Sequence, residues 1–133
     1  MIDIENEVIT IVSQALILNG ISASVESVLN LNPSSFPTVC VEEIENASAG
    51  ISADNVTNEN HAAVGYEINV FTNSLNGKKA QAKNIMSVID NAVLAIGFSR
   101  ISKTTLSIDD GTKLRIVARY RAYVSREKKI YRR

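Results

Sequence analysis

From Lys113 to Val124 the chain reads KLRIVARYRAYV, and its side chains divide into two alternating sets. Leu114, Ile116, Ala118, Tyr120, Ala122 and Val124 fall on one side. Lys113, Arg115, Val117, Arg119, Arg121 and Tyr123 fall on the other. A period of two is the signature of a β-strand. At ~3.3 Å per residue this strand would run roughly 40 Å, nearly twice the usual length. Every buried backbone donor and acceptor along it needs a partner. The chain must therefore build a sheet around this segment, and any excess must protrude or pair with another subunit. The preceding FSRISKTTLSI and the turn Asp109-Asp110-Gly111-Thr112 supply one neighbour, giving a long C-terminal β-hairpin.

The remaining elements follow from the same patterning. Over residues 3–18, Ile4, Val8, Ile11, Val12, Ala15 and Leu16 recur at spacings of three and four, which predicts an amphipathic helix. Asp3, Glu5 and Glu7 favour its start through the helix dipole, and Asn19-Gly20 stops it. Residues 21–31 read as a short strand, and Pro33 and Pro37 bracket a loop. Residues 38–45 alternate as a strand, with Val39, Val41 and Glu43 on one side and Cys40, Glu42 and Ile44 on the other. Continued, that alternation puts Glu43 and Glu45 on a shared face with Glu42 opposite. HAAVGYEINVFTN is another strand, with Val64, Tyr66, Ile68 and Val70 on one face and Gly65, Glu67 and Asn69 on the other. Residues 78–96 form a second helix with an apolar stripe of Ile85, Val88, Ile89, Ala92, Val93 and Ile96, closed by Gly97.

The expected fold is α+β: a mostly antiparallel β-sheet with two helices packed on one face and a long C-terminal β-hairpin. Residues 1–133 make a single domain. Residues 46–62 are small and polar with no strong period, and read as a mobile loop. Residues 126–133 read as a flexible basic tail.

Charge is segregated along the chain. Of 14 basic residues, nine lie in 113–133 beside a single acid, Glu127, so this segment carries +8 and the rest −8. Basic residues beside tyrosines raise nucleic-acid binding as a reading. A dedicated nucleic-acid domain, however, is usually basic overall, and here the formal charge is zero. The basic segment can instead fold against its own acidic body or pair with that of a neighbouring copy. Lys78, Lys79 and Lys83 sit at the start of the second helix, against the dipole preference, and suggest a partner or a neighbouring acid.

Nothing in the sequence assembles a catalytic or metal constellation. His61 is the only histidine and reads as a plain loop residue. Cys40 is the only cysteine and reads as a packed strand residue. Asp109-Asp110-Gly111 is a turn without the rest of a calcium loop, and no phosphate-binding glycine motif occurs. The chain is expected not to be an enzyme and to need no cofactor. No apolar run approaches a membrane span, and the N-terminus, acidic before it is apolar, does not read as a signal peptide.

Four stretches, taken in order, carry a resemblance: FPTVCVEEIEN after the first helix, VGYEINVFTN, GKKAQAKNIMSVIDNAVLAIGFSR with its closing Gly97-Phe98, and RIVARYRAYV after an acidic turn. With these elements the chain resembles the tail terminator proteins of long-tailed bacteriophages, also called tail completion or head–tail joining proteins. The resemblance implies a structural protein that assembles as a ring, typically a hexamer. Such a ring caps the tail tube, ends its polymerisation and provides the surface that joins the head. The implied partners are further copies of the chain, the tail tube protein and the head connector or neck proteins. DNA would pass through the ring without sequence reading. The implied location is the virion, at the head–tail junction, after assembly in the host bacterial cytoplasm. Candidate interface residues are Lys113, Arg115, Arg119, Arg121, Tyr123 and Arg126 on the basic segment, Lys78 and Lys79, and Glu42, Glu43 and Glu45. Alternative readings are another phage neck protein, a head-closure or adaptor subunit, or a small nucleic-acid-binding module using the basic strand.

Overall fold

The computed structural model describes residues 1–48, 61–73, 77–108 and 111–132. Two helices and six strands occur in the order α1 (Glu5–Leu18), β1 (Ser24–Glu26), β2 (Thr38–Ser48), β3 (His61–Thr72), α2 (Lys78–Ala95), β4 (Ser99–Ile108), β5 (Lys113–Ser125) and β6 (Ile130–Arg132). The sheet runs β1-β2-β3-β5-β4, with β6 also pairing with β5. All pairs are antiparallel except the short β1–β2 pair, in which Ser24–Glu26 runs parallel to Thr38–Cys40. The fold is therefore the expected α+β class.

Both helices lie on one face of the sheet. Alternation delivers Val64, Tyr66, Ile68 and Val70 of β3 to that face, directly opposite Ala122, Tyr120, Ala118 and Ile116 of β5. Val8, Val12 and Leu16 of α1 and Ile85, Ile89 and Val93 of α2 complete the buried cluster. Tyr66 and Phe98 meet edge to face with centroids 5.8 Å apart, a favoured aromatic geometry. Tyr120 anchors β5 to α2: its hydroxyl donates to Asp90 Oδ1 at 2.8 Å, and Arg100 bonds the other carboxylate oxygen at 2.8 Å. Burial and the Asp90 carboxylate push the Tyr120 hydroxyl well above its ordinary pKa, so it stays a donor.

Several expectations change at the element ends. Of the segment read as a mobile loop over 46–62, Asn46–Ser48 instead extend β2 and His61 and Ala62 begin β3, all in ladder register. Residues 49–60 lie outside the described residues. His61 is accordingly a strand residue, its ring 5.8 Å from that of Tyr131. The segment read as a flexible tail over 126–133 turns at Arg126–Lys129 and returns as β6, pairing Ile130–Arg132 with Val124–Ala122. Gly97 makes that return possible. Its φ is +116°, and a side chain there would meet Ile130 at 3.0 Å. Arg132 then donates to the carbonyls of Leu94 and Phe98, which lie at and beyond the end of α2, a favourable position for a cation.

The long basic strand does not protrude. β5 is central: β3 pairs with it from Leu114 to Ser125, and β4 covers Lys113–Arg121 on the other side before β6 continues. Among the described residues, β4 stands at one edge of the sheet and the short β1 at the other.

Candidate assembly surface

The sheet face away from the helices collects most of the polar residues singled out in the sequence. β5 places Arg115, Arg119, Arg121 and Tyr123 there, opposite Phe71, Glu67, Gly65 and Ala63 of β3. Glu67 is the centre of this face. Its Oε2 accepts from Arg119 Nε at 3.0 Å, and its Oε1 lies 4.0 Å from the Arg115 guanidinium. Arg115 also donates to Asn69 Oδ1 at 2.7 Å and lies over the Phe71 ring at 5.7 Å. Arg121 pairs with Glu45 at 3.7 Å. Gly65, between them, has no side chain to separate the two; a Cβ there would sit 3.1 Å from that of Glu45.

The charge segregation of the sequence is thus resolved within one chain. Acidic residues of β2 and β3 face the arginines of β5 across the ladder. Arg115 is only 19% exposed and tightly held, whereas Arg119 and Arg121 keep 56% and 48% of their side chains in solvent. The sequence pattern put Glu67 on this face but did not single it out. The signal was available: a lone acid in an apolar strand, in register with a basic one.

A bulge corrects the expected placement of the acids of β2. Register shifts between Glu43 and Glu45, so Glu43 lies opposite Tyr66 while Glu45 lies opposite Gly65. Glu42 and Glu45 therefore share the helix-free face, and Glu43 turns to the helix side. There Glu43 accepts from Asn46 Nδ2 at 2.7 Å, and the same amide donates to Ile2 O at 2.7 Å. Glu42 accepts the Leu29 amide at 2.9 Å and holds the loop after β1. One extra residue was enough to exchange faces, because the strand period is two.

Other candidate residues lie at the two ends of the sheet. Lys113 sits beside the Phe36 ring at 5.6 Å, at the end where Thr72 donates to the carbonyl of Lys78 at 2.9 Å. Lys79 follows, exposed, so these three lysines share one end. Arg126 lies exposed at the opposite end, in the turn before β6. At that end Lys128 bonds Glu7 at 2.8 Å and holds its carboxyl below the ordinary range. Cys40 is fully buried, and desolvation pushes its thiol pKa up, which suits packing and not nucleophilic attack.

No protein-family model and no curated protein matches the chain. Among solved structures, a chain from the virion of a native gene transfer agent particle is similar in fold. It shares 21% identity and superposes with a TM-score of 0.60, covering 86% of this chain and 91% of that one.

That match is one of architecture. Between β4 and β5, Ser102, Thr104, Leu106, Val117, Arg115, Arg119 and Glu67 line an open depression of about 300 Å³. Its rim is β4, exposed at eight of its ten residues, with Ile101 and Leu106 at 51% and 41%. A charged, half-neutralised floor thus lies beside an exposed strand rim. No helix among the described residues is long and apolar enough to cross a membrane.

Proposed function

We infer that the chain is a structural component of a tailed, phage-like particle, and more finely a tail terminator. In this reading, copies form a ring, a hexamer, at the end of the tail tube. The ring stops tube growth and offers the surface on which the head connector or neck proteins dock. DNA passes through without being read. The observation that carries this reading is the fold likeness to a virion chain over nearly the whole of both molecules. The order of elements behind the tail-terminator resemblance supports it. So does the character of the exposed sheet face, which presents strand edge and paired charges. The chain has no assigned catalytic role in this reading and uses no cofactor.

The nucleic-acid reading loses support from the pairing of Arg115 and Arg119 with Glu67, and of Arg121 with Glu45. Arginines so paired carry less net charge towards phosphates.

The test is deletion and complementation in the particle that encodes the chain. Loss is expected to give abnormally long tails or tails without heads, and labelled protein should mark one end of isolated tubes. Normal tails joined to heads in its absence would overturn the reading. A salt-dependent gel shift on DNA without any tail defect would establish the nucleic-acid reading instead.

A further inference from the structure

The start of α1 and the bulged end of β2 meet on the helix side of the sheet, and three carboxylates converge there. Asp3, Glu5 and Glu43 each bring an oxygen within 4.8 Å of the other two. Asp3 and Glu5 have a local reason to be there, because acids favour the start of a helix. Glu43 has none, since it comes from a strand far along the chain. Carboxylates this close repel one another, and a cation between them removes the repulsion. Lys128, at the same end, is taken up by Glu7 at 2.8 Å.

Uncharged contacts hold the group in place. The bulge after Glu43 sets Asn46, opposite Val64, on the same side of the sheet as Glu43. The Asn46 amide bridges Glu43 Oε1 and the carbonyl of Ile2, each at 2.7 Å, and so ties β2 to the residue before Asp3. Asp3 Oδ1 accepts the Glu5 amide at 2.9 Å. Bulges commonly re-aim side chains in this way.

A second, independent observation points to a ligand. Tyr66 stands directly opposite Glu43 in the ladder, and both side chains leave the sheet on the helix side. Tyr66 is fully buried, and its hydroxyl has no hydrogen-bond partner among the described residues. A buried hydroxyl is rarely left so. Burial first, and then the carboxylates of Glu43, Asp3 and Glu5, push its pKa up. The hydroxyl thus lies in the field of the same three acids and stays protonated.

We propose that Asp3, Glu5 and Glu43, together with the Tyr66 hydroxyl, bind a calcium ion that joins the start of α1 to the bulged end of β2. Oxygen donors alone suit a hard cation. Calcium holds its ligands at about 2.3–2.6 Å, so oxygens up to roughly 5 Å apart fit around one ion, whereas magnesium demands a tighter octahedron. Asp3 is exposed, which leaves the outer side to water and completes calcium's larger coordination sphere. The ion is structural and adds no chemistry to the function proposed above, on which the site does not depend.

The test uses the full chain, stripped of divalent ions by a chelator and titrated with calcium chloride. Calorimetry should give one site with a Kd on the order of 10⁻⁵–10⁻³ M, and the melting temperature should rise with calcium. Asp3→Asn and Glu43→Gln, which keep an acceptor for the Glu5 and Asn46 amides, should each weaken binding at least about tenfold. Should Glu43→Gln fail to fold, Asp3→Asn, at an exposed position, decides. Terbium in place of calcium should luminesce on tyrosine excitation, and Tyr66→Phe should remove most of that emission. No heat and no rise in melting temperature up to about 10 mM calcium overturns the site. So does a rise matched by sodium chloride at equal ionic strength, which is screening alone, or binding unchanged in both carboxylate variants. Emission retained in Tyr66→Phe removes the tyrosine from the site, and magnesium bound as tightly as calcium overturns the choice of ion.

Discussion

β4 and β5 are two arms of one hairpin, yet they stand in opposite situations. β5 carries the charge that draws attention in the sequence, but it lies in the middle of the sheet with neighbours on both sides. Its apolar side is buried at Leu114, Ile116, Ala118, Tyr120, Ala122 and Val124, and its arginines answer acids on β2 and β3. β4 is unremarkable in sequence, with two basic residues among ten, and is nearly bare. Charge density in a sequence marks where pairing is needed; the position of a strand in the sheet decides whether that need is met inside the chain or outside it.

The sharpest way to break this contrast is to truncate two residues that face each other across the hairpin. Ile116 of β5 lies opposite Thr105 of β4. Ile116→Ala should cost about 2–5 kcal/mol, since it empties a fully buried site beneath the helices. Thr105→Ala should change stability by no more than about 0.5 kcal/mol. Urea unfolding of the two variants measures both, and equal losses would show that β4 is as integral to the fold as β5.

Glu67 gives the next largest effect. Glu67→Ala leaves the mostly buried Arg115 with one polar partner fewer, and a loss of about 1–3 kcal/mol is expected. A loss within experimental error would mean that the Glu67 carboxylate adds nothing net to holding Arg115 and Arg119.

Charge reversal sharpens the comparison further. Arg119→Glu places two acids directly opposite one another, at Glu67 and position 119, so about 1 kcal/mol should be lost. Reversing Lys103 on the bare edge should leave the melting temperature nearly unchanged. Parallel thermal melts of Arg119→Glu and Lys103→Glu test the difference, and any assembly defect of the former must be read against its own loss of stability.

The smallest effect is electrostatic and lies away from both arms. Lys128 lowers the Glu7 pKa and Glu7 raises that of Lys128. The carboxylate contribution is present above the ordinary glutamate pKa and fades as pH falls through the lowered value. The lysine contribution is present below the ordinary lysine pKa and fades as pH rises through the raised one. Both groups are exposed, so the stability change is small. Lys128→Ala should return the Glu7 carboxyl to the ordinary glutamate range in an NMR titration, and an unmoved midpoint would show that the pair does not persist in solution.

Much was legible in the sequence because period alone encodes it. The helix faces of Val8, Val12 and Leu16 and of Ile85, Ile89 and Val93 follow from spacing. So does the buried side of β5, since a side chain's direction depends on its own backbone. Even the membership of the helix-free face, with Glu67 and Asn69 beside the arginines, follows from alternation on two strands. Three things did not follow. The bulge at Ile44 moved Glu45 to the face of Glu42, because one extra residue reverses a two-residue period and no local signal announced it. The tail became β6 because Gly97, a few residues past α2, leaves room for Ile130, a contact between residues far apart in sequence. And the exchange of roles between β4 and β5 required the strand order: pairing distributes charge and exposure among neighbours that a linear pattern cannot name. The chain determined which side each residue shows; only the assembled sheet decided what that side would meet.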